Sequence, residues 1–441
     1  MKYRISVISL GCPKNQVDAE IMLAKLKNAD FEIVEDPRYA DLIIVNTCGF
    51  IESAKKESIE NILDMLSYKE DYPDKKVLVT GCLAERYQTQ VMEQMPELDG
   101  VVGIGANENI VEICNKILKG DRCELFPDKM SLCFDGGREL TTPSYTAYLK
   151  IAEGCSNNCT YCAIPMIRGP FRSRQPESIL EEAQKLVLSG VKEITLVAQD
   201  TSRYGEDLYG KSALVPLLKS LCKIEGLKWI RILYLYPERI DDLLIDTIAN
   251  EDKILKYMDI PMQHCSANVL KRMNRKGDRE SLTNLIAKIR ERIPGVTIRS
   301  TLIAGFPGET EEEFNELCEF IEEVKFERMG CFAYSEEEGT AATKLDGMLP
   351  EEERVKRADI INDIQGQILD DINDSLIGEK IDTIVEGYDG YTDSYYGRTV
   401  MDAIDIDTTI YFTSERELDE GDIVKVEVIN AIDGELTGEA K

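Results

Sequence analysis

Short apolar runs alternate with amphipathic segments along most of this chain, and this alternation restricts its fold more than any other feature. Near the N-terminus, the runs YRISVISL (residues 3–10), DLIIVN (41–46) and KVLVT (76–80) are rich in Ile and Val. Such runs are typical of buried parallel strands. Helical stretches lie between them, at about residues 15–28 and 51–68. The order strand, helix, strand predicts an N-terminal parallel βαβ domain and an α/β fold class.

A second alternating series begins at Ala147. Its candidate strands and helices are, in order, residues 147–152, 177–189, 193–198, 229–234, 238–249, 256–260, 279–291, 296–303, 310–324 and 328–333. Six strand–helix units are too few to close an eight-stranded barrel. We therefore expect an open, partial (β/α)6 barrel with its site at the C-terminal strand ends.

The C-terminal part of the chain changes character. Pro350 begins a charged amphipathic helix that runs to about Leu376, and alternating runs such as KIDTIVEGY and DIVKVEVINAI follow from Gly378. Gly and Asp turns between these runs predict a small all-β barrel. The expected division is an N-terminal domain over 2–119, a linker over 120–140, the partial barrel over 141–371 and the all-β barrel over 373–441.

Composition narrows the class of protein. The net charge of −30 disfavours a phosphate backbone as partner unless basic residues cluster locally, and favours a basic partner. No apolar run approaches the ~20 residues of a membrane span, and the N-terminus lacks a small-residue cleavage site, so we expect a cytoplasmic chain with no membrane contact. Its 13 cysteines are then expected to be free thiols for metal or redox work.

The strongest motif is EGCSNNCTYC, which follows the first strand of the partial barrel. Cys155, Cys159 and Cys162 form a C-x3-C-x2-C pattern. Three thiolates at this spacing can hold three irons of a [4Fe-4S] cluster and leave the fourth iron open. An open iron can chelate the amino and carboxylate groups of S-adenosylmethionine and pass an electron to its sulfonium. The alternative is a zinc site or buried free thiols, but zinc usually takes four ligands.

Three further cysteines stand at equivalent places in the N-terminal domain. Cys12, Cys48 and Cys82 each come just after one of its three predicted strands. The carboxyl ends of parallel strands share one edge, so these thiols can converge on a second cluster. The alternative is that they are small buried hydrophobes. We expect the other seven cysteines, which share no spacing, to be packing or incidental thiols: Cys114, Cys123, Cys133, Cys222, Cys265, Cys318 and Cys331.

Polar or small residues at other strand ends are candidate cofactor contacts. Gln199 and Asp200 end the second barrel strand and can bind an ammonium or a ribose hydroxyl. Gly305, in GFPGET, would let the backbone approach an adenine. The alternative for GFPGET is a turn before a helix capped by Thr310, and both interpretations can hold together. We expect His264, the single histidine, to be a pocket or core residue.

Several motifs together resemble a known family. SLGCPKN (residues 9–15), NTCGFI (46–51), the segment around the C-x3-C-x2-C pattern and DIPMQH resemble the radical S-adenosylmethionine methylthiotransferases. The resemblance covers nearly the whole chain, and within the family it is to the RimO-type branch. It implies a TRAM-like C-terminal barrel, S-adenosylmethionine, and two [4Fe-4S] clusters, one on each cysteine trio. It also implies that the backbone of Tyr161 lies near the adenine.

The resemblance implies insertion of sulfur and a methyl group at an unactivated C–H bond, the β-carbon of an aspartate in small-subunit ribosomal protein S-twelve. The cofactors carry the difficult chemistry, so no side chain is assigned as catalytic acid or base. The implied partners are that ribosomal protein, free or on the assembled ribosome, and an electron donor such as flavodoxin or ferredoxin. We expect a monomer. The rivals are a tRNA adenosine methylthiotransferase and an iron–sulfur carrier without catalysis.

Local charge indicates whether the substrate is a protein or an RNA. Residues 378–441 contain 17 acidic and 5 basic residues, which suits a Lys- and Arg-rich protein better than RNA, unless the acidity merely reflects the whole chain. Two clusters of basic residues keep an RNA partner open: Arg168, Arg172 and Arg174, and Lys271, Arg272, Arg275 and Lys276.

Overall fold

The computed structural model describes residues 2–132, 136–432 and 434–441. These residues form an N-terminal parallel sheet, a second parallel sheet and a closed C-terminal β-barrel, as predicted. Each cysteine in the described ranges is a free thiol, and Cys133 lies outside them. Within the same ranges, every helix is too short or too polar to cross a lipid bilayer.

The N-terminal unit is a parallel sheet covered by helices on both faces. Its strands are β1 (Arg4–Ser9), β2 (Glu32–Ile33), β3 (Leu42–Thr47), β4 (Lys76–Gly81), β5 (Gly100–Val102) and β6 (Cys123–Leu125). Its helices are α1 (Pro13–Asn28), α2 (Glu52–Asp71), α3 (Cys82–Tyr87), α4 (Thr89–Gln94) and α5 (Ile110–Leu118). The strand order is β2-β1-β3-β4-β5-β6, and β3 is buried along its whole length. The carboxyl ends of β1, β3 and β4 therefore lie side by side at one edge.

One strand lies inside the segment that the sequence suggested as a linker. Strand β6 pairs in parallel with β5 and is the edge strand of the sheet. It is three residues long and mostly exposed, so it leaves no apolar periodicity to detect. The sheet thus continues beyond residue 119, while the proposed domain limits remain a prediction.

The second unit contains all six predicted barrel strands. Its strands are β7 (Thr146–Lys150), β8 (Ala152–Glu153), β9 (Arg172–Ser173), β10 (Glu193–Val197), β11 (Trp229–Ile232), β12 (Ile254–Asp259), β13 (Thr297–Ala304) and β14 (Arg328–Ala333). Its helices are α6 (Ile164–Arg168), α7 (Pro176–Leu188), α8 (Glu206–Tyr209), α9 (Leu214–Leu221), α10 (Asp242–Asn250), α11 (Ala267–Arg272), α12 (Arg279–Arg292) and α13 (Glu311–Val324). The order β7-β10-β11-β12-β13-β14 follows the chain, whereas β8 and β9 pair separately as a short ribbon.

A long helix, α14 (Glu351–Ser375), covers the open edge of this sheet. The side chain of Asn362 accepts a hydrogen bond from the backbone N–H of Cys331 at 2.9 Å and donates one to the carbonyl of the same residue at 3.0 Å. The carboxamide thereby takes the place of a neighbouring strand. Strand β14 is thus protected against pairing with another chain.

The C-terminal unit is a closed barrel of β15 (Lys380–Asp389), β16 (Ser394–Thr399), β17 (Ile410–Thr413), β18 (Ile423–Ile432) and β19 (Glu435–Ala440). The order around the barrel is β15-β16-β17-β19-β18, with β17 and β19 parallel. Buried Val and Phe side chains fill its interior. The buried carboxylate of Glu193, at the start of β10, accepts a hydrogen bond from Arg398 of β16 at 2.6 Å and so attaches the barrel to the second unit.

Candidate cofactor site between the two parallel sheets

The N-terminal cysteine trio lies at the carboxyl ends of three neighbouring strands. Cys12 precedes α1, Cys48 follows β3, and Cys82 is the first residue of α3 after β4. Burial raises the pKa of the Cys82 thiol to about 12, the Arg168 guanidinium opposes this shift, and the nearby Cys12 and Cys48 thiols add to it. Each thiol is therefore within electrostatic reach of the others, as their shared strand-end position predicts.

Glycines allow these strand ends to approach one another. Gly11 has a φ of +85°, and a Cβ there would stand 2.6 Å from the Cβ and 2.8 Å from the Sγ of Cys48. A Cβ at Gly49 would stand 2.8 Å from the backbone of Leu83, next to Cys82. A larger side chain at either position would push the loops that carry the thiols apart.

The second trio lies on the loop between β8 and α6. Backbone hydrogen bonds shape this loop, from Cys155 N–H to the carbonyl of Gly169 and from Cys162 N–H to the carbonyl of Cys159, both at 3.1 Å. All three thiols are half-buried. The hydroxyl of Tyr236 lies 2.8 Å from the Sγ of Cys159. Burial raises the pKa of the Cys155 thiol to about 11, and the neighbouring Cys159 thiol adds to the shift.

The two trios meet where the N-terminal unit contacts the second sheet. Cys82 packs in one buried apolar cluster with Ala163 and Ile167, and Ala163 is the residue after Cys162. This contact joins the end of β4, which carries Cys82, to the segment that directly follows Cys162.

An acidic loop after β14 closes the same interface. The buried carboxylate of Glu337 accepts a hydrogen bond from Arg86 at 2.6 Å and lies 3.1 Å from the Lys55 ammonium. Both basic residues belong to helices of the N-terminal unit, α3 and α2. The loop therefore fastens the second sheet to the helix that begins at Cys82.

Four buried charges also connect the two units. Asp18 comes from α1, whereas Lys150, Glu153 and Arg168 come from the segments that flank the second trio. Lys150 pairs with Asp18 and with Glu153 at 2.9 Å, and Arg168 pairs with the same two carboxylates, with Glu153 at 3.1 Å. All four residues are 2% exposed or less. Burial by itself would raise the pKa of Glu153, but Lys150 and Arg168 outweigh it and hold the pKa well below its usual value.

The structure places the predicted cofactor contacts around the second trio. Gln199 donates a hydrogen bond to Glu153 at 2.7 Å, and its side-chain oxygen has no hydrogen-bond partner among the described residues. Asp200 accepts one at 2.8 Å from Asn157, which lies between Cys155 and Cys159, so this carboxylate also anchors the loop. Tyr161 is half-buried and packs edge-on against Phe306.

Gly305 and His264 lie at the ends of neighbouring strands. The N–H of Gly305 donates to both carboxylate oxygens of Glu309, at 3.1 and 3.0 Å. His264 is fully buried, with its Nε2 atom 3.4 Å from the same carboxylate, so it is a core residue in a polar pocket. Thr310 caps α13 in a reciprocal pair with Glu313, as the capping interpretation of GFPGET predicts.

The donor set of each trio is three free thiols, the ligand type that holds iron–sulfur clusters. Gly11 and Gly49 let the loops that carry the first trio approach one another. Within the ranges that the structure covers, no three His, Cys, Asp or Glu side chains are gathered tightly enough to hold one metal ion.

Three arginines of the two basic clusters are buried inside the fold. Arg168 and Arg174 are 1% and 3% exposed, and Arg275 is 7% exposed. Arg168 pairs with buried carboxylates, and Arg275 stacks on the Tyr236 ring with 3.8 Å between its guanidinium carbon and the ring centroid. Their charges are thus used inside the fold.

Relatives with known functions match nearly the whole chain. A ribosomal protein uS12 methylthiotransferase RimO from Clostridium botulinum is 48% identical over 438 residues, which cover 99% of this chain and 98% of that protein. The chain belongs to this family. RimO from Caldanaerobacter subterraneus subsp. tengcongensis is 49% identical over 439 residues, with 99% of both chains covered.

Domain families and solved structures agree with this membership. Residues 4–103 match "Uncharacterized protein family UPF0004", residues 149–321 match the radical SAM superfamily, and residues 377–440 match the TRAM domain. Two structures of TsrM, a radical S-adenosylmethionine methyltransferase from Kitasatospora setae, resemble this RimO family member in fold. Their TM-scores are 0.57 and 0.58 at 14% and 12% identity, and the matches cover 76% and 88% of this chain and 77% and 79% of theirs. The chain is thus an iron–sulfur radical S-adenosylmethionine transferase.

Sequence reasoning missed Tyr236, which contacts Cys159, and four residues that join the two units: Asp18, Lys150, Glu153 and Glu337. Glu153 and Lys150 flank the start of the cysteine loop, and this proximity is the only local signal they carry. The other three are brought to the site by the packing of distant segments.

Proposed function

We propose that this chain methylthiolates ribosomal protein uS12, the substrate named for its relatives, at the β-carbon of an aspartate. The observation that carries the proposal is the packing of Cys82 against Ala163 beside Cys162, which brings two cysteine trios to one interface. Sulfur insertion needs a radical source and a sulfur donor close to the same carbon atom. Two neighbouring trios meet this need, whereas an iron–sulfur carrier without catalysis does not require a second trio beside the first.

In this proposal, Cys155, Cys159 and Cys162 hold the radical [4Fe-4S] cluster, and Cys12, Cys48 and Cys82 hold a second one. When bound, the first supplies the electron that cleaves S-adenosylmethionine, and the second supplies the sulfur that is inserted. Tyr161, Gln199, Asp200 and Gly305 are the proposed contacts of S-adenosylmethionine. The unpartnered oxygen of Gln199 supports this role, because it can accept a hydrogen bond from the ligand's ammonium.

Charge favours a protein substrate over RNA. The C-terminal barrel region carries 17 acidic against 5 basic residues, and the arginines of the sequence's basic clusters are largely buried. A Lys- and Arg-rich protein complements such a surface, whereas a phosphate backbone is repelled by it. The ribosomal substrate, free or in the ribosome, places the enzyme in the cytoplasm. An electron donor such as a flavodoxin or ferredoxin completes the reaction, and we propose that the enzyme acts as a monomer.

The cofactor assignment is tested by anaerobic purification followed by iron and sulfide analysis. We expect about eight irons per chain for two cubane clusters and about four for one. Cys159→Ala should abolish formation of 5′-deoxyadenosine from S-adenosylmethionine, while Cys222→Ala, a cysteine outside both trios, should retain it. Turnover that survives in Cys159→Ala would refute the radical assignment.

The substrate is tested by mass spectrometry after turnover. Reconstituted enzyme is incubated with S-adenosylmethionine, a reductant and either purified uS12, intact small subunits or bulk tRNA. A mass gain on uS12 equal to a methylthio group replacing one hydrogen supports the proposal. A gain on tRNA alone would instead favour the tRNA methylthiotransferase, and formation of neither 5′-deoxyadenosine nor product would favour a carrier.

A further inference from the structure

The side chain of Arg168 contacts residues near both cysteine trios. It ends α6, six residues after Cys162, so it belongs to the radical loop segment. Its Nη1 atom pairs with the buried carboxylates of Asp18 and Glu153. Its Nη2 atom lies 3.0 Å from the side-chain oxygen of Asn15 and 3.3 Å from the Sγ of Cys82. The guanidinium thus spans from the buried ion pairs to the sulfur of the other unit.

The planar guanidinium is suited to this bridging position. Arginine presents several N–H donors in a fixed geometry, so one nitrogen can serve carboxylates while another donates to a sulfur. Both carboxylates contact the Nη1 atom of Arg168, so its Nη2 donor can face a negatively charged sulfur at Cys82.

We propose that Arg168 is a positioning residue that holds Cys82 against the radical loop and raises the reduction potential of the cluster bound by Cys12, Cys48 and Cys82. This inference rests on the proposed function, because it assumes that the N-terminal trio holds a cluster. Hydrogen bonds to ligand sulfurs stabilise the more negative, reduced form of a cluster. Removal of the guanidinium should therefore shift the potential to a more negative value.

Glu153 connects Arg168 to the loop that carries the second trio. One of its carboxylate oxygens accepts hydrogen bonds from the Gly154 N–H at 3.0 Å and from Gln199 at 2.7 Å. Gly154 is adjacent to Cys155. The other oxygen contacts Arg168, so the guanidinium and the start of the cysteine loop share one carboxylate. Arg168 thereby fixes how the two trios stand relative to each other.

The test uses the full chain with Cys155, Cys159 and Cys162 all replaced by Ala, so that only the N-terminal trio can hold a cluster. In this background Arg168→Lys, Arg168→Gln and the control Arg172→Gln are reconstituted anaerobically. Arg172 lies on the same segment and donates to the carbonyl of Met130. The measurement is the midpoint potential of the cluster in a redox titration followed by electron paramagnetic resonance, together with iron content.

We expect Arg168→Gln to lower the midpoint potential, Arg168→Lys to lower it less, and Arg172→Gln to leave it unchanged. Lysine keeps the buried charge balance but cannot reach both the carboxylates and the sulfur, so Arg168→Lys should stay folded while the hydrogen bond is lost. A merely structural role would lower the melting temperature without moving the potential.

The outcomes separate the two proposals. An unchanged potential in both Arg168 variants overturns the role of Arg168 and leaves the proposed function intact. A background variant that binds no iron overturns the two-cluster assignment and this inference with it. In the otherwise unaltered enzyme, Arg168→Lys should still form 5′-deoxyadenosine but yield several-fold less methylthiolated product per molecule of it. Equal losses of both products would also count against the inference.

Discussion

At the residue scale, the N-terminal trio depends on small residues as much as on its thiols. Gly11 adopts a left-handed φ and leaves no room for a Cβ beside Cys48. Gly120 has a φ of +97° in the same unit, yet nothing lies within 4 Å of a Cβ built there. Substitutions at Gly11 and Gly120 therefore distinguish the steric effect of a Cβ at the site from the cost of a left-handed backbone.

We predict that Gly11→Ala lowers the iron content towards half, because the new methyl group displaces Cys48 or Cys12. It should also destabilise the fold by ~1–3 kcal/mol through backbone strain and the close contact. Gly120→Ala should share the strain but retain full iron content. Iron analysis and urea denaturation of both variants provide the measurement, and equal iron loss in both would contradict the steric explanation.

The sequence suggests which thiols form the two trios, whereas it does not show their environment. Spacing within eight residues indicates one trio, Cys155, Cys159 and Cys162. Positions directly after three apolar runs indicate the other, Cys12, Cys48 and Cys82. The sequence groups Arg168 with other basic residues, because it shows the charge of this side chain but not the carboxylates that surround it. Its partner Asp18 lies 150 positions away.

At the scale of elements, the long buried strands were predicted from the sequence, whereas the shortest strands were not. The six strands of the second sheet are apolar because helices or packed neighbours cover them, so their periodicity survives in the sequence. Strands β2, β5 and β6 have two or three residues each, and their pairing depends on the strand beside them. Such segments carry too few side chains for a pattern.

The covering of β14 by α14 leads to a prediction. Asn362→Ala should leave the N–H and carbonyl of Cys331 without partners, at a cost of ~1–3 kcal/mol for the unpaired buried groups. Amide hydrogen exchange in β14 should become faster, and urea denaturation should shift to lower concentrations. Asn61→Ala is the control, because Asn61 is half-buried and donates a hydrogen bond to a carbonyl of its own helix. A similar loss in both variants would contradict the edge-covering role.

At the scale of the whole molecule, buried ion pairs join the three units. Glu193 of the second sheet contacts Arg398 of the C-terminal barrel at 2.6 Å and Arg231 at 3.0 Å. Burial opposes ionisation of this carboxyl, but Arg398 and Arg231 prevail and lower its pKa from 4.5 to about 2. The C-terminal barrel is thus held by a carboxylate that must stay charged.

We predict a loss of stability in acid that depends on Glu193. Because the pKa is lower in the folded state, the unfolded state binds the proton more readily, and the contribution is complete above about pH 4.5. It falls as the pH drops towards 2 and amounts to ~3 kcal/mol in all. Urea denaturation between pH 6 and 3 should therefore show a flatter pH dependence in Glu193→Gln than in the unaltered chain. Parallel profiles would contradict this assignment.

The sequence by itself determined the class of each unit and where the six long barrel strands lie, and it suggested the two cysteine trios, because these features depend on spacing and periodicity between near neighbours. Only the tertiary structure decided how the units meet. Cys82 contacts Ala163, Glu337 contacts Arg86, and Glu193 pairs with Arg398 across 205 positions of the chain. Such contacts exist because buried charges and thiols need partners that no local pattern can specify.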